Sequence, residues 1–172
     1  DGSDGATGAQ GATGAAGAAG ATGATGASGV SGSVTELSDA LVEDNSIYIG
    51  NDPSATTSTA QYNVAVGVAA LGAITTGDGN VAVGYRSLFS NTTGISNTAT
   101  GSQTLEFNTT GNYNVASGDD ALRSNTSGRD NIATGYRALQ SNTTGSYNIA
   151  YGSEGLYSNT TGDKNTSSGY RA

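Results

Sequence analysis

Serine and threonine hydroxyls are the most plentiful reactive groups in this chain, and nothing beside them could activate them. The sequence has no His and no Cys, and Lys164 is its only lysine. A hydroxyl becomes a nucleophile only beside a base, so the hydroxyls read as turn and surface groups, Lys164 as a solvated cation, and the chain as not an enzyme. No cofactor motif is present. Asp119 with Asp120, and Asp78 near Asn80, are the acids that could meet on calcium. Calcium-binding solenoids place an Asp in every turn of the repeat, and here Asp does not recur in phase, so no metal is expected. Thr98 with Thr100, poorly copied by Thr166 with Ser168, could start an ice-binding threonine array, but Val64 with Val66 and Ile149 with Tyr151 break it.

The remaining chemistry is covalent modification. Asn91, Asn108, Asn125, Asn142, Asn159 and Asn165 each open an N-x-[ST] sequon, and five of the six share one phase of a repeat. They read either as a row of glycan acceptors or, more plainly, as the first residue of an Asn-Thr-Thr-Gly turn, in which Asn caps its own backbone.

Composition narrows the classes further. The 172 residues are 34% hydrophobic and 12% charged, which argues against a large apolar core. The net charge is −8, and residues 1–62 hold seven acids and no base, so nothing attracts nucleic acid. No apolar run approaches the ~18 residues of a membrane span, and membrane insertion is not expected. The start at Asp1, without Met or a basic leader, reads as a processed chain or an excised piece.

Three segments would position these groups. Gly stands at 2, 5, 8, 11, 14, 17, 20, 23, 26, 29 and 32 (Gly2, Gly5, Gly8, Gly11, Gly14, Gly17, Gly20, Gly23, Gly26, Gly29, Gly32). A strict three-residue glycine period is the requirement of a triple helix, whose axis admits only Gly, and residues 1–32 read as a collagen-like stalk ~100 Å long at ~3 Å per residue. Residues 33–45 read as a short neck. There Ser33 and Glu36 form a capping-box pattern, and Val34, Leu37 and Leu41 share one face of a helix that could meet two copies of itself.

Residues 46–172 repeat every 17 positions. N-x-A-x-G begins at 63, 80, 97, 114, 131 and 148, with NTSSG at 165 as a weaker copy, which fixes Asn63, Gly67, Asn80, Gly84, Asn97, Gly101, Asn114, Gly118, Asn131, Gly135, Asn148, Gly152, Asn165 and Gly169. Leu71, Leu88, Leu105, Leu122, Leu139 and Leu156 keep the same period. Seventeen residues are too few for a helix pair, and the motif alternates with period 2, so the unit is a strand-turn coil. Coils stacked ~4.8 Å apart place like residues over like residues. The expected interior is the Leu column beside the Val/Ile column at the first x. The Ala column then forms a second face on which another chain's sheet could close. Tyr85, Tyr136 and Tyr170, each followed by Arg, read as a solvated or intersubunit surface.

The repeated N-x-A-x-G strand with Ala-Leu and Asn-Thr-Thr-Gly resembles the head repeats of YadA-type trimeric autotransporter adhesins and related repeats of phage and viral fibres. This likeness covers residues 46–172; the unit is longer than in adhesin heads, and a collagen-like segment stands where those carry coiled coil. It implies a trimeric parallel β-roll displayed outside the cell. The expectation is therefore an all-β homotrimer, a β-solenoid with an N-terminal triple helix. It would serve as a structural subunit of an extracellular fibre on a cell or virion surface, growing head to tail through its last coil. The competing expectation is an adhesin or receptor-binding tail-fibre module with a host-surface glycan or protein as its ligand.

Overall fold

The computed structural model describes residues 40–43, 45–50 and 59–172. The expected stalk and the first part of the neck lie outside the described residues. Among those described there is no helix, and nine strands form one sheet in sequence order: β1 (Ala40–Glu43), β2 (Ser46–Ile49), β3 (Val64–Val66), β4 (Val81–Val83), β5 (Thr98–Thr100), β6 (Val115–Ser117), β7 (Ile132–Thr134), β8 (Ile149–Tyr151) and β9 (Thr166–Ser168). From β2 onward every pairing is parallel and in register, Ile47 on Val64, Val64 on Val81 and so on to Ile149 on Thr166. The fold is a parallel β-solenoid of about seven coils.

The neck is the first correction. Ala40–Glu43 is a strand, antiparallel to β2, with Asn45 at φ 61° in the turn between them. A short helix would have left the first parallel rung with a row of unpaired backbone groups, whereas a hairpin strand covers that edge.

Within a coil the strand is short and most of the path is turn. From Gly135 the chain makes three overlapping turns, with Ala138 N–H donating to Gly135 O (3.2 Å), Gln140 to Arg137 O (3.2 Å) and Asn142 to Leu139 O (3.0 Å). Between coils, donors run both ways. Ile132 N–H reaches Asn148 O (2.8 Å) and Leu139 N–H reaches Gly155 O (2.9 Å) on one side, while Gly135 N–H reaches Ser117 O (2.8 Å) on the other. The coil closes by repeated excursions into the left-handed region. Leu71, Leu88, Leu105, Leu122, Leu139 and Leu156 sit at φ 48–54°, and the residue two before each Leu is also left-handed. A β-branched side chain is badly strained there, which explains why this column is Leu and never Val or Ile. At Gly101, with φ +134°, a Cβ would lie 2.6 Å from Gly118 O, so stacking at this corner requires glycine.

The interior inverts the expected sidedness. Ala65, Ala82, Ala99, Ala116, Ala133 and Ala150 are buried against the Leu column, Leu71 to Leu139 being fully buried and Leu156 partly so. The β-branched positions point outward: Val64 is 38% exposed and Val115 43%. A 17-residue circuit encloses too thin a space for Leu opposed by Val or Ile, so Ala opposes Leu and Asn fills the flanks. The Ala column therefore satisfies itself within one chain, and it is not a face on which a second sheet closes.

Candidate functional site

Two columns of buried asparagine run the length of the stack. In the first, each Asn from Asn80 to Asn165 donates its backbone N–H and its Nδ2 to the Oδ1 of the Asn one coil earlier. Through Asn148, the same Nδ2 also reaches the carbonyl of the glycine that closes its own coil, all at 2.8–3.1 Å. From Asn80 to Asn148 every donor and acceptor of the amide is used, the condition under which a buried polar group is tolerated. The column begins at Ser46, whose Oγ takes the Asn63 N–H at 2.9 Å.

The second column is Asn91, Asn108, Asn125, Asn142 and Asn159. Each Nδ2 donates to its own turn's glycine carbonyl at 2.9–3.0 Å, and from Asn108 on also to the preceding Oδ1 at 2.8–3.0 Å. Buried Ile74 takes the place one coil before Asn91. This corrects the glycan-acceptor reading. Asn91, Asn108, Asn125 and Asn142 have no accessible surface, and the nitrogen a glycan would occupy is spent on interior hydrogen bonds. Asn159 and Asn165 are half-buried with the same nitrogen engaged. Beside this column Thr75, Thr92, Thr109, Thr126 and Thr143 each pass an Oγ1 hydrogen bond to the next coil's threonine carbonyl at 2.9–3.1 Å.

A third ladder carries charge. The left-handed residue after the Tyr position reads Arg86, Gln103, Asp120, Arg137, Glu154 and Arg171 in successive coils. Glu106, its side chain 2% exposed, takes Arg86 at 2.8 Å from the coil before and Arg123 at 2.7 Å from the coil after. Asp120 faces Arg123 and Arg137, each at 3.5 Å, and Glu154 pairs with Arg171. The hydrogen bond that Arg123 donates to Glu106 is the main cause raising its guanidinium above its usual range, with burial opposing; the bond that Arg171 donates to Glu154 does the same there. In an in-register stack like charges would lie ~4.8 Å apart, so opposite or neutral residues must follow one another here. All five arginines stack on aromatic rings: Arg86 on Phe89, Arg123 on Phe107, Arg129 on Tyr147, Arg137 on Tyr136 and Arg171 on Tyr170.

The other residues singled out above are not brought together among the described residues. Asp78 accepts the Gln61 N–H at 2.8 Å, Asp120 is held by arginines, and Lys164 is exposed. Among the described residues no three metal-ligating side chains meet. Thr98 and Thr100 are exposed on the outward strand face, Thr98 between Val81 and Val115 and Thr100 between Val83 and Ser117. A 720 Å³ hollow lies on the final coil, lined by residues including Arg137, Glu154, Leu156 and Arg171. The charge ladder was absent from the sequence reading, although writing the chain in rows of 17 would have exposed it.

The outward face of β2–β9 runs the length of the parallel stack. Its sixteen side chains, Ile47 and Ile49 in the first rung to Thr166 and Ser168 in the last, include no charged residue. Comparison with protein-family models, with curated proteins and with solved structures finds no match to this chain.

Proposed function

We propose that this chain is a structural subunit of an extracellular fibre on a cell or virion surface, assembled as a homotrimer through the outward face of its β-solenoid and a collagen-like triple helix over residues 1–32. The observation carrying this reading is that uncharged sheet face, eight parallel strands tall, in a chain of net charge −8. Ten of the face's sixteen side chains are aliphatic or aromatic and six are Thr or Ser, and such depletion of charge is the mark of the core of a contact between subunits. Along the axis, amide, threonine and ion-pair ladders tie each coil to the next, an arrangement suited to carrying load. The eleven-fold glycine period supplies the number of chains.

Sedimentation together with electron microscopy of the purified chain tests the reading. Rods of three chains are expected, and images over a range of concentrations report head-to-tail growth. A compact monomer in dilute buffer would overturn the assignment. Saturable binding of a host glycan by the isolated solenoid would favour a receptor-binding module in its place.

A further inference from the structure

Two columns of residues flank the outward strand face, and their tyrosines follow one pattern. The residue just before each rung's Asn reads Tyr62, Gly79, Ser96, Tyr113, Asp130 and Tyr147 over successive coils. The residue just after each rung's Gly, taken one coil later in each case, reads Tyr85, Ser102, Asp119, Tyr136, Ser153 and Tyr170. Tyrosine falls opposite tyrosine three times, and a non-aromatic residue opposite a non-aromatic residue the other three. In both columns the intervals are three rungs and then two.

Contact within one chain does not account for this. The two members of each set are one coil and six residues apart, up to ~20 Å of extended chain across the face. Among the described residues no hydrogen bond or ring contact joins them. All six rings are 42–67% exposed. Three are held by stacked guanidinia, Arg137 on Tyr136, Arg129 on Tyr147 and Arg171 on Tyr170, so their positions are set before any partner arrives.

We propose that copies of this chain associate side by side with solenoids pointing the same way, the leading flank of one against the trailing flank of the next, so that Tyr62 meets Tyr85, Tyr113 meets Tyr136 and Tyr147 meets Tyr170 of the neighbour. The inference rests on the trimeric reading above and adds orientation and register to it. The unequal intervals decide the direction. Copies running the same way match all three pairs at one constant offset, whereas copies running oppositely would set three-then-two against two-then-three and match at most two. A flank-to-opposite-flank contact is heterologous and closes into a ring only without net rise between copies, so the one-coil step of ~4.8 Å within each tyrosine pair is spanned by the rings, whose centroids pack about 4.5–7 Å apart; the glycine triplets of the same chain specify three members. Eight rungs at ~4.8 Å by ~20 Å give roughly 750 Å² per chain; a ring divides this between two neighbours, about 375 Å² a contact against about 800 Å² per partner in a standard interface, so the triple helix must share in holding the trimer. Aromatic pairs at the two edges of the face fix register where the flat Val, Ile and Thr columns between them would permit slippage by a rung.

The chain has no cysteine, which makes site-directed crosslinking direct. The full chain with Tyr113→Cys and Tyr136→Cys, treated with a short bismaleimide, should give covalent trimers on a denaturing gel. The yield should be about tenfold above that of Tyr113→Cys with Ser102→Cys, two rungs out of match. As a check independent of substitution, photo-oxidative coupling of the unaltered chain should give dityrosine peptides joining Tyr113 to Tyr136. Trimer mass with equal yields from both cysteine pairs and no such peptide would overturn the tyrosine register while leaving the trimer intact. Monomer mass would overturn both.

Discussion

Replacing one mid-ladder asparagine tests whether the amide columns hold the stack together. Asn114 makes four side-chain bonds: Nδ2 to Asn97 Oδ1 (3.1 Å) and Gly128 O (2.9 Å), and Oδ1 from the Asn131 N–H (3.1 Å) and Nδ2 (3.0 Å). In Asn114→Ala the two acceptors on the far side keep other donors, the Asn114 N–H for Asn97 Oδ1 and Asn125 Nδ2 for Gly128 O. The Asn131 N–H and one Nδ2 hydrogen lose their partner inside a buried strip. Two lost bonds at ~1 kcal/mol and two orphaned donors at ~1–3 kcal/mol each give a loss of about 4–8 kcal/mol. Asn165→Ala removes a single side-chain bond, to Asn148 Oδ1, which retains the Asn165 N–H; the expected cost is about 1 kcal/mol. Urea unfolding followed by circular dichroism measures both variants at equal protein concentration. Equal losses for the two would refute the reasoning, since the ladder would then contribute no more at its centre than at its end.

Other perturbations probe separate parts of the coil. Gly101→Ala, placing a methyl 2.6 Å from the Gly118 carbonyl at φ +134°, should cost about 3 kcal/mol or more; a melting temperature within a degree or two of the parent would contradict the close approach. Deleting residues 131–147 sets Glu154 directly over Asp120, whereas in the intact chain Arg137 intervenes. Glu154 keeps its pair with Arg171 in both backgrounds, so Glu154→Gln should cost clearly less in that deletion than in the intact chain; equal costs would discount the charge ladder. Arg123 has its pKa raised by its hydrogen bond to Glu106, so its share of stability is fully present below the unfolded chain's pKa and fades only as pH climbs through the still higher folded value. Arg123→Gln should accordingly lower the urea midpoint by the same amount across about pH 6 to 9, and a loss that shrinks over that range would point to another group.

The coil period, the parallel stacking and the Leu interior were legible because a solenoid writes each structural column as one residue type at constant spacing. Sidedness was harder. Val64 and Ala65 are both compatible with a half-buried strand, and hydrophobicity favours burying Val. What reverses the choice is the narrowness of the circuit and the ability of Asn63 and its successors to saturate one another in the interior, a property of the stack that no single repeat displays. The same cooperation hid the fate of Asn91 to Asn142: a sequon is read locally, but their burial depends on the coil above and the coil below. Over Ala40–Glu43 the helix expected in the neck failed for a related reason. Ser33, Glu36 and the apolar spacing describe a local preference, while Ala40–Glu43 answers to the open edge of β2.

From Asn80 to Asn165 in one column and from Asn108 to Asn159 in the other, each side-chain amide donates an N–H to the oxygen of the amide in the preceding coil. Their dipoles therefore add head to tail, and each rung polarises the next. The interior of the stack thus has an electrical sense, electropositive toward the Ser46 end and electronegative toward Asn159 and Asn165. A rung docked upside down would oppose amide against amide, so the asparagines select the direction of coil addition as well as fastening it.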